Sequence, residues 1–212
     1  MRMAELLQRK KLIEFHGDAC PISLLGARMG LAAMKHLGIK EKSPRNFIVI
    51  TETPACLVDG IQFTTGCTVG SGSIIPKDYG KLGAVFYHKK IDRAIRIILA
   101  SSLVEEFEEI GKAVIEEMLR GKKFGESQRK RELVQKFIEL PDDQLFDIQP
   151  VEMAKEIRAP MPEQFLLQRG FIVHRVRCAS CNEYVEETKT VVRGGRKLCI
   201  PCSGEGLYHS TR

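Results

Sequence analysis

The sequence lacks a long apolar run, an internal repeat and a low-complexity tract. Arg28 interrupts its most apolar segment, so no stretch approaches the roughly 20 apolar residues that a membrane-spanning helix needs. Residues 1–11 mix acidic and basic side chains and lack the apolar core and the small-residue cleavage site of a secretory signal. We therefore expect a cytoplasmic protein without a membrane segment.

A strong excess of one charge is also missing. The chain has 33 basic and 27 acidic residues, a formal net charge of +6, and the basic excess is spread along the sequence. Such a balance is more typical of a solvated surface than of a nucleic-acid interface, so nucleic acid is an alternative partner that the composition does not favour. With 43% hydrophobic and 28% charged residues, the composition excludes global disorder and indicates a folded chain.

Hydrophobic periodicity divides the chain into a larger first domain, a connector and a small second domain. The predicted helices cover residues 3–15, 21–37, 55–63, 102–120 and 128–140, and the predicted strands cover residues 46–53, 82–88 and 94–99. The basic run at 129–131 is interpreted as the solvated face of the last helix. Residues 141–164 contain four prolines and six acidic residues, which is typical of a linker. We therefore expect domains at 1–140 and 165–212, with a Gly-Gly hairpin turn in the second.

Seven cysteines, an odd number in a chain expected to be intracellular, argue against a disulfide framework and favour metal binding. Four of them form two CxxC pairs, Cys178 with Cys181 and Cys199 with Cys202, which are separated by 17 residues. This spacing lets two tight turns converge on one tetrahedral ion, and four thiolates leave no open position, so we expect a structural Zn²⁺ site. Iron in a rubredoxin-like site and a redox-active dithiol are the alternatives.

A second group of metal-capable residues lies in the first domain. His16, Asp18 and Cys20 occupy the turn between the first two predicted helices, Cys56 lies near the start of a short predicted helix, and Cys67 lies in an uncharged loop rich in Gly and Thr. If these elements meet, the five residues form a site with nitrogen, oxygen and sulfur donors that remains open to a ligand, which would be a second metal site. The alternative is that the cysteines are inert packing residues.

Several segments keep the order and spacing of a known family. They are Phe-His-Gly-Asp-Ala-Cys-Pro at 15–21, Gly-Ala-Arg at 26–28, Cys-Leu-Val-Asp-Gly-Ile-Gln at 56–62, Thr-Gly-Cys-Thr-Val-Gly at 65–70, Asp-Tyr-Gly-Lys at 78–81 and the two CxxC pairs. With these segments the chain resembles the E subunit of formylmethanofuran dehydrogenase and its free-standing relatives over nearly its whole length. The usual pattern of that family has a second His where this chain has Asp18, and a Lys where this chain has Ser71.

The resemblance implies an α+β fold, in which helices pack on an antiparallel sheet and a small treble-clef or zinc-ribbon-like domain follows. It also implies a homodimer. By the same resemblance His16, Cys20, Cys56 and Cys67 belong to a metal or active site. In the related enzyme complex the redox chemistry belongs to other polypeptides, so the resemblance does not imply formylmethanofuran oxidation by this chain alone.

Together these observations predict a zinc-binding protein with a second metal or small-molecule site, accessory to one-carbon or molybdenum-linked metabolism. They do not decide whether the protein is an enzyme. If the second site is catalytic, Cys20, Cys67 and Asp59 are the candidate catalytic residues and Tyr79 is a polar neighbour. The alternative is a nucleic-acid-binding or protein-interaction module that uses the basic zinc domain.

Overall fold

The computed structural model describes residues 3–42, 44–158 and 174–206. These residues belong to two compact units, which divide between Met153 and Ala154. Among the described residues, no helix is both long enough and apolar enough to cross a bilayer.

The first unit combines helices with a five-stranded sheet. Its helices are α1 (Met3–His16), α2 (Pro21–His36), α3 (Leu57–Thr65), α4 (Ser101–Leu119), α5 (Gln128–Glu139) and α6 (Asp142–Leu145), and a 3₁₀ turn at Phe124–Glu126 precedes α5. Its strands are β1 (Phe47–Thr51), β2 (Ile74–Pro76), β3 (Gly83–His88), β4 (Arg93–Leu99) and β5 (Phe146–Val151). The α+β class is confirmed, and each of the predicted helices and strands is present with shifted ends.

The sheet has the strand order β2-β1-β3-β4-β5. Its neighbouring strands pair antiparallel, as predicted, except that β1 and β2 pair parallel. Val49 of β1 lies opposite Phe86 of β3, which lies opposite Ile95 of β4, so these three side chains share one face. That face is buried together with apolar side chains of α2, α3 and α5, and this cluster forms the hydrophobic core.

Helices α2 and α3 approach each other closely because glycines lie at their contact. A Cβ atom added at Gly26 would lie 2.0 Å from the carbonyl oxygen of Leu57, and one added at Gly60 would lie 1.9 Å from the carbonyl oxygen of Ser23. Side chains at these positions would therefore force the helices apart. The contact lies in the first two turns of α2 and the first turn of α3, and Cys20 and Cys56 are the residues directly before these helices.

The predicted linker at 141–164 is wrong in its first part. Residues 142–151 form α6 and β5, and β5 pairs with β4 so that Ile148 lies opposite Ile97. β5 is an edge strand, where a proline such as Pro150 is tolerated because one side of the strand makes no ladder hydrogen bonds. The first unit therefore extends to Met153 rather than to residue 140. Residues 159–164 of the predicted linker lie outside the described residues.

The second unit is built from two short hairpins. Its elements are α7 (Lys155–Arg158), β6 (Arg175–Arg177), β7 (Tyr184–Glu186), a 3₁₀ turn at Glu187–Lys189, β8 (Thr190–Arg193), β9 (Arg196–Cys199) and α8 (Ile200–Ser203). The predicted hairpin is confirmed, because β8 and β9 pair antiparallel around Gly194 and Gly195, which have φ angles of 54° and 73°. The parts of the predicted domain at 165–173 and 207–212 lie outside the described residues.

Candidate metal centres

The four cysteines of the second unit converge, as their spacing predicts. Their sulfur atoms all lie within 4.8 Å of one another, and those of Cys181 and Cys199 are 3.9 Å apart. All four are free thiols rather than disulfides. Cys178 is buried and the other three are half-buried. The group of these four cysteines is called the tail quartet below.

The pKa values of the tail-quartet thiols are shifted in the way that is typical of a site for a cation. Burial opposes ionisation of Cys178, but the backbone N–H groups of Cys199, Cys181 and Ser180 lower the pKa of the Cys178 thiol to about 6. At Cys181 the backbone N–H of Glu183 favours the thiolate, yet burial and the neighbouring thiols raise the pKa to about 12. One thiolate is therefore favoured while further thiolates need a cation beside them. Four sulfur donors fit a metal ion such as zinc.

Three metal-capable side chains of the first unit also converge. His16 is the last residue of α1, while Cys20 and Cys56 directly precede α2 and α3. One donor atom of each lies within 4.8 Å of the other two, and this group is called the body cluster below. Burial raises the pKa of Cys56 to about 11, and the adjacent Cys20 adds to the shift. Because Cys56 is a neutral thiol at neutral pH, a cation that binds here must displace its proton.

Asp59 orients the histidine of the body cluster. Its Oδ2 atom lies 2.8 Å from Nδ1 of His16, and the His16 side chain is only 12% exposed. When one ring nitrogen is held by a carboxylate, the other nitrogen is free to coordinate a metal, and its basicity rises. Asp59 was a candidate catalytic residue, and its position in the structure is that of a support for His16.

Asp18 lies at the edge of the body cluster. Its Oδ1 atom is 3.6 Å from Nε2 of His16, but Asp18 does not belong to the set of donor atoms that lie within 4.8 Å of one another. Its Oδ2 atom accepts a hydrogen bond of 2.7 Å from the Nζ atom of Lys130, on α5. The structure therefore brings together three of the five predicted donors and places a fourth, Asp18, in an ion pair beside them.

The interpretation of the basic run at 129–131 as a solvated face is wrong for Lys130, which is only 4% exposed. Lys130 shares the buried face of α5 with Leu133, Val134 and Phe137. These positions follow the i, i+3, i+4, i+7 spacing of a buried helical face. That spacing was the signal that could have identified Lys130 as a buried charge, because a charge on such a face requires a partner.

Two predicted site residues lie elsewhere. Cys67 has no solvent exposure and belongs to the hydrophobic core, and burial raises the pKa of its thiol. The expectation that Cys67 joins Cys20 and Cys56 is not met, because Cys67 is enclosed in the hydrophobic core, where its thiol contacts the hydroxyl groups of Thr65 and Ser73. Tyr79 is 59% exposed, and its backbone N–H donates to the carbonyl oxygen of Glu52. Neither residue belongs to the body cluster.

A sequence model of the family described as "FmdE, Molybdenum formylmethanofuran dehydrogenase operon" matches residues 15–147 of the chain. The match covers more than half of the chain and includes His16, Cys20, Cys56 and Lys130. The chain belongs to the FmdE family. The resemblance that the sequence motifs suggested is therefore confirmed. The tail quartet of this FmdE-family protein lies outside the matched residues.

One relative and one solved structure are similar to this FmdE-family protein over most of its length. A protein of Archaeoglobus fulgidus, described as a probable S-adenosyl-L-methionine-binding protein, is 30% identical over 96% of this chain. The chain spans about half the length of that relative, 54%. The crystal structure of a tungsten formylmethanofuran dehydrogenase FmdE-like protein from Syntrophus aciditrophicus has a TM-score of 0.62 and 22% identity, covering 94% of this chain and 91% of its own. At this identity the similarity supports the fold alone.

Proposed function

We propose that this FmdE-family protein is a cytoplasmic zinc protein that carries a second transition-metal ion in its first unit and binds a small molecule there. In this proposal the tail quartet holds a structural Zn²⁺ ion, and His16, Cys20 and Cys56 hold the second ion. The observation that carries the proposal is the convergence of three donors from α1 and from the starts of α2 and α3. Inert packing would not require the carboxylate of Asp59 beside His16.

The two groups of donors suit different roles. Four sulfur atoms complete a tetrahedral ion and leave no position for a substrate, so the tail quartet supports folding. Three protein donors of mixed nitrogen and sulfur type leave a position for an exogenous ligand, as in catalytic zinc sites. An ion bound there would supply Lewis acidity to a bound carbonyl, phosphoryl or water oxygen.

The three side chains around that ion would have different roles. Cys20 and Cys56 would provide negative charge to hold the cation after losing their protons. His16 would coordinate through Nε2, because Asp59 holds Nδ1. We further propose a role in one-carbon or molybdenum-linked small-molecule metabolism, which the family assignment supports. We also propose a homodimer, which light scattering of the purified protein would test.

S-adenosyl-L-methionine is a second candidate ligand. The relative that matches 96% of this chain is described as a probable S-adenosyl-L-methionine-binding protein. The first unit has a cavity of about 340 Å³ between α1, α2, α3 and the end of α5, lined by apolar side chains and by Arg9, Arg28, Lys35 and Asp142. The carboxylate of Asp142 pairs with Arg28 at 2.6 Å and with Lys35 at 3.7 Å. Apolar walls with a few charged groups suit a small molecule that has both a hydrophobic body and charged groups, as S-adenosyl-L-methionine has. Calorimetric titration with S-adenosyl-L-methionine tests this candidate, and absence of binding would exclude it.

Nucleic acid is a less favoured partner. In the described part of the second unit, Arg193 pairs with Glu205, and both Lys197 and His174 contact Glu187. Cations that are already paired release few counterions on binding a phosphate backbone. An association constant for nucleic acid that falls steeply with salt concentration would nevertheless support this alternative.

Elemental analysis of the purified full-length chain tests the two-site proposal. We expect about two metal ions per chain in the wild type, loss of one in Cys20→Ala and loss of the other in Cys178→Ala. Cys67→Ala is the matched control, because it removes a buried thiol of the same unit that lies outside the body cluster. A single ion that is lost only in Cys178→Ala would show that the body cluster does not bind metal and that its residues only pack together.

A further inference from the structure

We propose that Lys130 holds Asp18 out of the coordination sphere of the second metal ion, so that one position stays open for an exogenous anionic ligand. This inference rests on the proposed function, because it requires an ion at the body cluster. It makes Lys130 a positioning residue, which acts on the ion through Asp18 and does not touch the ion or its ligand.

Asp18 is well placed to become a fourth protein ligand. It lies two residues after His16 and two residues before Cys20, in the segment that joins α1 to α2. Its Oδ1 atom is 3.6 Å from Nε2 of His16, the nitrogen that the Asp59 contact leaves free. Two ligands of one tetrahedral zinc ion, each about 2.0–2.1 Å from the metal, are separated by about 3.3 Å. A small rotation of the Asp18 side chain would therefore complete the site.

Lys130 opposes that rotation. Its Nζ atom lies 2.7 Å from Oδ2 of Asp18, which is the distance of a strong charge-assisted hydrogen bond. The side chain of Lys130 is only 5% exposed, whereas that of Asp18 is 41% exposed. The lysine is the fixed partner because it belongs to the buried face of α5, and the aspartate is the partner that could move.

The position of the pair explains why the body cluster has three donors. Asp18 Oδ1 approaches His16, but Asp18 does not lie within 4.8 Å of all three donors of the cluster. A carboxylate whose charge is already compensated by an ammonium group is also a weaker metal ligand than a free one. Without Lys130, Asp18 would bind the cation and close the position that a substrate needs.

A purely structural role for the pair is the competing explanation. In that case the ion pair would only fasten α5 to the segment between α1 and α2, which are far apart in sequence. Substitution of Lys130 would then change stability but would not change which ligands the ion accepts. Ligand exchange at the bound ion distinguishes the two roles.

The experiment measures azide binding to full-length protein that carries zinc in the tail quartet and Co²⁺ in the body cluster, with one ion of each per chain verified by elemental analysis. A four-sulfur site has no open position, so any azide-dependent change in the cobalt absorption spectrum comes from the body cluster. We expect saturable azide binding in the wild type and an affinity about tenfold lower or worse in Lys130→Met. In the double variant Asp18→Ala, Lys130→Met the wild-type azide affinity should return, because no carboxylate is left to close the site.

Arg129→Met is the matched control. It removes the same charge from the neighbouring, exposed position of α5 and should leave azide binding unchanged. Unchanged azide affinity in Lys130→Met, or a loss that Asp18→Ala does not reverse, would overturn the inference. Cobalt binding without any azide response in the wild type would also overturn the inference, but the proposed metal site would still be supported. Failure of the wild type to take up cobalt beyond the tail quartet would instead refute the proposed function, and the inference with it.

Discussion

Nδ1 of His16 and Oδ2 of Asp59 lie 2.8 Å apart, although 43 residues separate them in the sequence. His16 ends α1 and Asp59 lies in the first turn of α3, so the contact joins two helices at the point where Cys56 also lies. A carboxylate in this position sets the tautomer and orientation of a metal-binding imidazole.

Asp59→Asn should weaken metal binding at the body cluster by about 10–100-fold, because the amide cannot stabilise the coordinated imidazole as a carboxylate does. The metal content of the tail quartet should not change. Competition titration against a chromophoric chelator measures the loss. Asp78→Asn, which alters an exposed carboxylate, is the control. Equal affinities of wild type and Asp59→Asn would show that the His16 contact is unrelated to metal binding.

Metal affinity at the body cluster should fall in acid. Burial and the neighbouring Cys20 raise the pKa of Cys56 to about 11, so the thiol is protonated at neutral pH and must release its proton to the solvent when a cation binds. Each displaced proton makes the affinity rise by about tenfold per pH unit below that pKa. Titrations between about pH 6 and pH 8, with proton release measured in weak buffer, test this prediction. An affinity independent of pH would contradict it.

Gly26→Ala should destabilise the first unit by about 1–3 kcal/mol or more and also lower its metal content. The added methyl group would meet the carbonyl oxygen of Leu57 at 2.0 Å, so α2 and α3 would have to separate, and with them Cys20 and Cys56. Gly111→Ala on α4 is the matched control, because nothing lies within 4 Å of its added Cβ. That control should be stabilised by about 0.5–1 kcal/mol. Denaturant unfolding and elemental analysis provide the two measurements.

His88 should make the first unit less stable in mild acid. Within the described part of the chain its Nδ1 atom has no hydrogen-bond partner, and burial, together with Lys90, lowers its pKa. The unfolded chain therefore takes up a proton below about pH 6.5 while the folded chain still resists it, so stability falls as the pH drops through that window. The contribution of this one proton is at most about 1.4 kcal/mol per pH unit.

His88→Phe tests that assignment, since a phenyl ring preserves the edge-to-face contact with Phe47. We expect the stability of the variant to fall less in mild acid than that of the wild type. Thermal unfolding of both proteins at several pH values measures the difference. His36→Gln removes an exposed histidine and should not change the pH profile. If both variants keep the wild-type profile, the acid sensitivity arises from other groups.

Local patterns in the sequence predicted much of the fold because helices and strands depend on near neighbours. The β-branched run around Val49 became β1, and the two apolar segments on either side of the turn at residues 89–92 became β3 and β4. The spacing of two CxxC pairs predicted the tail quartet because each pair spans only four residues, the length of one tight turn, and is therefore nearly preformed. The edge strand β5 was missed because prolines and acidic residues are as common in linkers as at sheet edges.

The sequence by itself determined the family, the α+β class and the convergence of the tail quartet, since motifs and short spacings carry this information. Only the tertiary structure decided which distant residues meet. The glycine contact between α2 and α3 joins Cys20 to Cys56, the core encloses Cys67, and the packing of α5 turns Lys130 inward to Asp18. The physical reason is that such contacts depend on how whole helices cross, and helix crossing is set by shape and burial over the entire core rather than by any local pattern.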